Sequence, residues 1–292
     1  MRRSLDESGR LVAKEEFTVS GQRKVIPGYH FTMGVTFFYL SLILLLPLAA
    51  FTLFAGGMGF EKFIAHATEY RIVHGYMISF ACALAAAIIN GVFGLLLAWV
   101  LVRYDFPGKR IMDGLIDLPF ALPTAVAGIA LTTLYVETGW LGQFFYAVGI
   151  PSAFSVVGIT IALIFVGIPF VTRSVQPVLK DLDPQIEEAA TMLGAGKWLT
   201  FRKVIFPELV APLLTGFALA FARGIGEYGS VVFIAGNMPF ETEIAPLLIM
   251  TELEQFDYQA AAAIAIVMMA LSFLILLGIN GYQRYRVKVR GV

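Results

Sequence analysis

The amino-acid sequence predicts an all-α polytopic membrane protein with six transmembrane helices, and three observations carry that expectation. The chain is 58% hydrophobic and only 14% charged, against about 45–50% apolar and about 25% charged residues in soluble domains. Charged side chains are almost never fully buried, so a soluble domain of 292 residues needs more polar surface than this to cover its core. Six segments approach the roughly 20 apolar residues needed to cross a bilayer core about 30 Å thick. The basic residues fall almost entirely on one side of those segments, as retained positive charge does on the cytoplasmic side.

The segments run Gly34 to Phe54, Gly75 to Val102, Leu118 to Val136, Ser155 to Val171, Leu209 to Asn237 and Ala260 to Gly281. Arg2, Arg3, Arg10, Lys14, Arg23 and Lys24 precede the first. Arg103, Lys109 and Arg110 follow the second, and Arg173, Lys180, Lys197, Arg202 and Lys203 follow the fourth. Arg284, Arg286, Lys288 and Arg290 follow the sixth. That places 18 basic residues on one side against Lys62 and Arg71 on the other, with Arg223 inside the fifth segment. Only an even number of spans with both termini in the cytoplasm accommodates the partition. The expected organisation is a cytoplasmic tail over 1–33, a transmembrane domain over 34–283 containing a cytoplasmic segment at 183–207, and a cytoplasmic tail over 284–292. The polar start precedes an apolar stretch too long for the core of a cleaved signal peptide, about 7–15 residues.

Formal charge is zero, with 21 basic and 21 acidic residues, so nothing in the total points to nucleic acid. Cys82 is the only cysteine and lies in an apolar run, which excludes an internal disulfide and suits a small buried hydrophobe. His66 and His74 stand apart from carboxylates and cysteines, so no metal site is expected, and no nucleophile has a convincing base. No repeat of fixed period or low-complexity stretch is present.

The inner segment from Asp183 to Pro207 is punctuated like two short helices. Asp183 is a good N-cap, Pro184 suits the first helical position, and Glu187 and Glu188 favour the positive end of the dipole. Gly194 and Gly196 stop that helix, and a basic, aromatic one follows until Pro207. Ile186, Ala189, Ala190 and Leu193 share one face, a narrow apolar stripe. From spacing alone, an amphipathic helix on the membrane interface and a helix that docks onto another protein are equally good readings.

Glu188-Ala189-Ala190, Gly194 four positions further on, and Val204-Ile205-Phe206-Pro207 resemble the EAA loop of binding-protein-dependent ABC importer permeases, with Val204 and Phe206 in place of Ile and Leu. The run Asp117-Leu-Pro-Phe-Ala-Leu-Pro123 and the run Arg223-Gly-Ile-Gly-Glu-Tyr-Gly229 further resemble sulfate and thiosulfate permeases, particularly the T-type subunit. The resemblance implies a type I importer permease fold in the bacterial inner membrane, with ATPase coupling through Glu188, Ala189, Ala190, Gly194 and Pro207. It implies as partners a second related permease chain, two ATP-binding subunits holding ATP and Mg, and an extracytoplasmic sulfate-binding protein. Molybdate and tungstate permeases share much of the pattern, and a secondary ion-coupled transporter is the rival in another energy class. No Gly-x-x-x-x-Gly-Lys-Ser/Thr phosphate loop occurs, so the chain itself is expected to hold no cofactor and to be no enzyme.

Inside the membrane, Arg223 and Glu227 are four residues apart in a setting where each charge costs about 2.5–3.5 kcal/mol on insertion scales. They are expected to pair, either as a structural ion pair or along the translocation path. Asp117 is a third candidate for the path, although a helix cap is its plainer role. Gly216, Ala220 and Gly224 form a small-residue strip that fits either an interface with the second permease or packing within the chain. Pro123 and Pro169 are expected to bend their spans.

Overall fold

The computed structural model describes residues 4–5, 11–12 and 28–290, with side chains over 28–282. The described residues form strands β1 (Ser4–Leu5) and β2 (Leu11–Val12), then helices α1 (Tyr29–Gly56), α2 (Phe60–Ala67), α3 (Tyr70–Arg103), α4 (Lys109–Ile116) and α5 (Leu118–Ala121). They continue as α6 (Thr124–Tyr135), α7 (Gly142–Ala147), α8 (Val156–Lys180), α9 (Pro184–Met192) and α10 (Lys197–Ile225). The last three are α11 (Val231–Ile234), α12 (Ala245–Glu254) and α13 (Tyr258–Arg290). Most of the expected tail at 1–33, with all six of its basic residues, lies outside the described residues, as do the side chains of the tail at 284–292.

The chain divides into two compact units, Met1–Phe51 and Thr52–Val292. In the first, β1 and β2 pair antiparallel, Ser4 opposite Val12 and Leu5 opposite Leu11, and most of α1 follows. That helix is apolar around its whole circumference, the pattern of a span bathed in hydrocarbon.

The second unit is built on α3, α8 and α10. Hydrocarbon supplies no hydrophobic drive between helices, so their association rests on close van der Waals packing. Glycines make that approach possible. A Cβ on Gly94 of α3 would lie 2.7 Å from the Val171 Cβ of α8, and one on Gly216 of α10 would lie 2.6 Å from the Val171 Cα. Ala220 is 4% exposed in this core, and a Cβ on Gly224 would meet Ala83 of α3 at 3.5 Å. The strip Gly216, Ala220 and Gly224 is therefore an intrachain packing face.

Among the described residues five helices, α1, α3, α8, α10 and α13, are long and apolar enough to cross a membrane. The third expected span, Leu118 to Val136, is not one helix. The Pro123 ring disfavours a helical Leu122, which is extended at φ −86°, ψ 136°, and α5 ends there and α6 starts afresh. The fourth span, expected to stop at Val171, runs on through Arg173 to Lys180, because Arg173 finds carboxylate partners that hydropathy cannot register. The fifth, expected to reach Asn237, ends at Ile225; the chain turns at Gly226 and resumes in α11.

The expected break at Pro207 is absent as well. α10 passes from the segment after α9 into its long apolar stretch through a π-helical turn at Phe201–Ile205. α1 carries a similar turn at Ser41–Leu45. In each case a proline, Pro207 or Pro47, is the second residue after the turn. A proline ring collides with the carbonyl four residues back and supplies no N–H. The widened turn shifts that carbonyl out of line, with the Phe206 N–H donating to the Phe201 carbonyl and the Leu46 N–H to that of Ser41.

Opposite the α9 end of this unit, Arg71 forks onto Glu243, Nε to Oε2 at 2.8 Å and Nη2 to Oε1 at 2.5 Å. The Ala245 N–H donates to Ser79 Oγ at 2.8 Å, and Tyr76 donates its hydroxyl to the Ile264 carbonyl. These bonds tie α12 and α13 to α3.

Candidate coupling surface and translocation path

The segment that begins at Asp183 folds as its punctuation predicts up to Gly196. The Asp183 carboxylate accepts the Gln185 N–H at 2.9 Å, and Pro184 opens α9. At the far end Gly194 adopts φ +84° and its N–H donates to the Thr191 carbonyl, while the Ala195 N–H reaches back to Ala190. This double closure satisfies the last carbonyls of α9 and requires a left-handed residue, hence glycine. None of α9 is buried. Ile186 is 49% exposed and Leu193 89% exposed; Glu188 and Ala189 are exposed and Ala190 half-buried. The apolar stripe is thus an open face. Glu187 accepts from the Arg103 guanidinium, anchoring α9 to the end of α3. Pro207, counted with this segment in the sequence, lies inside α10, half-buried.

Asp117 does not cap a helix with its side chain. Both its oxygens accept from Arg173 of α8, Oδ1 from Nε at 2.8 Å and Oδ2 from Nη2 at 2.6 Å. The same guanidinium donates to Asp113 Oδ1 at 2.5 Å, to the Asp113 carbonyl and to Gln176 Oε1. Arg173 thereby fastens the α4–α5 segment to α8, and its hydrogen bond holds the Asp113 carboxyl below its ordinary value. Spacing alone missed this cluster. Asp113 and Asp117 are four apart in the sequence, which signals one face, but their cation is 56 residues from Asp117.

Arg223 and Glu227 do pair, Nη1 to Oε2 at 2.5 Å. Glu227 lies just beyond the end of α10, its side chain 1% exposed against 39% for Arg223. Its other oxygen accepts both the backbone N–H and the hydroxyl of Ser230, at 3.0 and 2.9 Å, and so fixes the turn into α11. That turn packs on α6: a Cβ on Gly229 would lie 2.2 Å from Thr124 Oγ1, and one on Gly128 would lie 2.5 Å from the Ser230 carbonyl. The broken third span, the end of α10 and the ion pair therefore meet at one place. Among the described residues no group of three or more His, Cys, Asp or Glu is placed to hold a metal ion.

Long apolar helices around a glycine-packed core, with a short exposed helix on a loop between two spans, define a polytopic membrane protein. Residues 90–289 match the family of binding-protein-dependent transport system inner membrane components, and the chain belongs to that family. It is 51% identical over 251 residues to the sulfate transport system permease protein CysT of Synechocystis sp., covering 86% of this chain and 88% of that one. With the protein of the same name from Escherichia coli the identity is 46% over 267 residues, covering 91% and 96%. Among solved structures, a bacterial ABC transporter involved in the import of the acidic polysaccharide alginate superposes with TM-score 0.71 at 13% identity, over 88% of this chain and 95% of that one. The MetNI methionine ABC transporter in an inward-facing conformation gives TM-score 0.58 at 17% identity, over 74% and 96%. These two likenesses concern the fold alone.

Proposed function

We propose that this chain is the membrane-spanning subunit of an ATP-driven importer of sulfate and thiosulfate. The open apolar stripe of α9 carries the coupling half of that reading, and the sulfate permeases at 46–51% identity support the substrate. Glu188, Ala189, Ala190 and Gly194 form the surface that seats an ATPase subunit, and two such subunits supply ATP and Mg. A second related permease chain completes the pore, and an extracytoplasmic binding protein delivers the anion. Both termini face the cytoplasm, which the partition of basic residues supports.

The mechanism is alternating access, and the geometry suggests its lever. α9 joins α10 through Leu193, Gly194, Ala195 and Gly196 with little slack, so a push on α9 moves the start of a helix 29 residues long. Arg223 lies 26 residues after Lys197 in that helix, about 39 Å along its axis at 1.5 Å per residue. The π turn at Phe201–Ile205 is the natural point of flexure between the coupling end and the membrane. Arg223 engages Glu227 through Nη1, leaving guanidinium donors to a passing dianion, while the Glu227 charge keeps that binding weak enough to release. Asp117, held by Arg173, sets the inner end of the broken span and thereby the exit. No bond is made or broken by this chain.

The deciding experiment is uptake of labelled sulfate by cells lacking or expressing the chain, with thiosulfate and molybdate as unlabelled competitors. Chain-dependent uptake that stops on ATP depletion and is inhibited by thiosulfate more than by molybdate is expected. Stronger inhibition by molybdate would move the substrate, and uptake by the chain alone without nucleotide would replace the importer with a secondary transporter.

A further inference from the structure

A groove of about 840 Å³ opens between the end of α3, the end of α9 and the start of α10. That volume is within the range of about 300–1,000 Å³ typical of small-ligand pockets. Its wall is apolar and aromatic: Leu95, Leu96, Trp99, Trp198, Phe201 and Ile205. Phe201 stacks on Trp198 with centroids 5.7 Å apart and meets Trp99 edge-on at 5.2 Å. Trp198 is nonetheless 72% exposed. Trp and Tyr with this double character collect at the level of lipid headgroups, where one end of the ring is dry and the other wet. The groove stands at the end of a membrane span, so its occupant comes from the adjoining leaflet.

Charge selects the occupant. The one acid on the rim, Glu187, is taken up by Arg103, which also lies over the Trp99 ring at 5.3 Å. Lys197 lines the same rim, is exposed, and has no carboxylate partner among the described residues. Arg202 and Lys203, five and six positions on, are exposed and likewise without a carboxylate partner among the described residues. Thr200, 7% exposed, is in the wall with a hydroxyl that has no hydrogen-bond partner. An apolar slot with a net positive mouth at headgroup level matches one ligand class, a phospholipid whose acyl chain fills the slot and whose anionic headgroup meets Lys197.

We propose that this groove is a binding site for an anionic phospholipid, seated beside the coupling helix. The lipid would wedge against both α9 and the π turn of α10, the two parts that the proposed transport cycle moves. The site itself rests on the membrane reading and not on sulfate as substrate.

The three tryptophans make it testable. In a Trp140→Phe background the emission reports only Trp99 and Trp198. The full chain is placed in phosphatidylcholine nanodiscs carrying a minor fraction of lipid brominated on the acyl chains, either phosphatidylglycerol or phosphatidylcholine. Brominated phosphatidylglycerol is expected to quench at about five-fold lower mole fraction, the preference one basic side chain contributes near a surface. Lys197→Glu should abolish the difference, and Lys62→Glu, at the far end of the protein, should retain it. Equal quenching by the two lipids in the unaltered groove overturns the proposal. So does loss of quenching once the ATP-binding subunits are bound, because the groove is then a protein contact. Neither result bears on sulfate uptake, which is measured separately.

Discussion

Glu227 divides its two carboxylate oxygens between different elements: one takes the Arg223 guanidinium of α10 at 2.5 Å, and the other takes Ser230 at the start of α11. A buried charge with one cation and two neutral donors is a joint between a membrane helix and the turn that follows it.

Removing either member of that joint should have unequal effects. Arg223→Ala leaves a carboxylate that is 1% exposed without its cation, whereas Glu227→Gln removes the charge and keeps an oxygen for Ser230. The arginine variant is expected to be the less stable by about 1–3 kcal/mol, the usual penalty for an unsatisfied buried group. Thermal unfolding of the two purified variants in detergent checks the order; equal losses would mean that the pair has little electrostatic content. Both variants are expected to impair sulfate uptake under the proposed path.

The stripe on α9 separates docking from folding. Leu193 is 89% exposed, so Leu193→Asp should change the stability of the isolated chain by less than about 0.5 kcal/mol. Under the proposed coupling role the same change prevents co-purification with the ATP-binding subunits. Retained co-purification would show that the stripe is not the docking face.

Gly194 makes a graded prediction. Its φ of +84° strains any residue with a Cβ, although nothing lies within 4 Å of the space a Cβ would fill. The penalty is therefore backbone alone, about 1–2 kcal/mol for most residues and less for Asn. Uptake should fall in the order Gly194, Asn, Ala, Val. A steric explanation would instead rank the variants by size and place Asn below Ala.

Asp113 gives a pH signature. Its carboxyl is held below the ordinary value of 3.8, first by the hydrogen bond from Arg173. A depressed native value means that the unfolded chain binds the proton more readily, so the contribution is present above the unfolded value and disappears as pH falls through the native one. The stability difference between the native chain and Asp113→Asn should be flat from pH 6 to 8 and shrink below about pH 4. Because Asp113 is 46% exposed, its size is modest and falls with added salt.

Glu252 makes the opposite case. Burial, reinforced by Asp257 and Glu69, raises its carboxyl above the ordinary value of 4.5. The native chain then holds that proton more readily than the unfolded one, and the associated stability is lost as pH rises through the raised value. Glu252→Gln is expected to stabilise the protein at pH 8 and to make little difference at pH 4, by thermal unfolding across that range.

Much of this was legible in the sequence because the signals are local. The apolar runs located the long helices α1, α3, α8, α10 and α13 to within their ends, and Asp183, Pro184 and Gly194 delimit α9 by capping chemistry that acts within a few residues. The pairing of Arg223 with Glu227 followed from one interval of four. What the sequence alone misplaced depends on partners distant along the chain. The continuation of α8 past Val171 rests on Arg173 meeting Asp113 and Asp117, and the small strip on α10 turned inward because Val171 and Ala83 were there to receive it. Pro123 broke its span while Pro207 did not: Leu122 took the extended conformation that a following proline ring favours, whereas a π turn upstream of Pro207 absorbed the collision. Local hydropathy and caps were enough to place the apolar helices and the exposed helix α9 between α8 and α10, since both signals act within a few residues. The charges paired across long separations, Arg173 with Asp113 and Asp117 and Arg71 with Glu243, and the face that each helix packs came from the folded arrangement alone, because helix association in lipid depends on close contact between surfaces and not on composition.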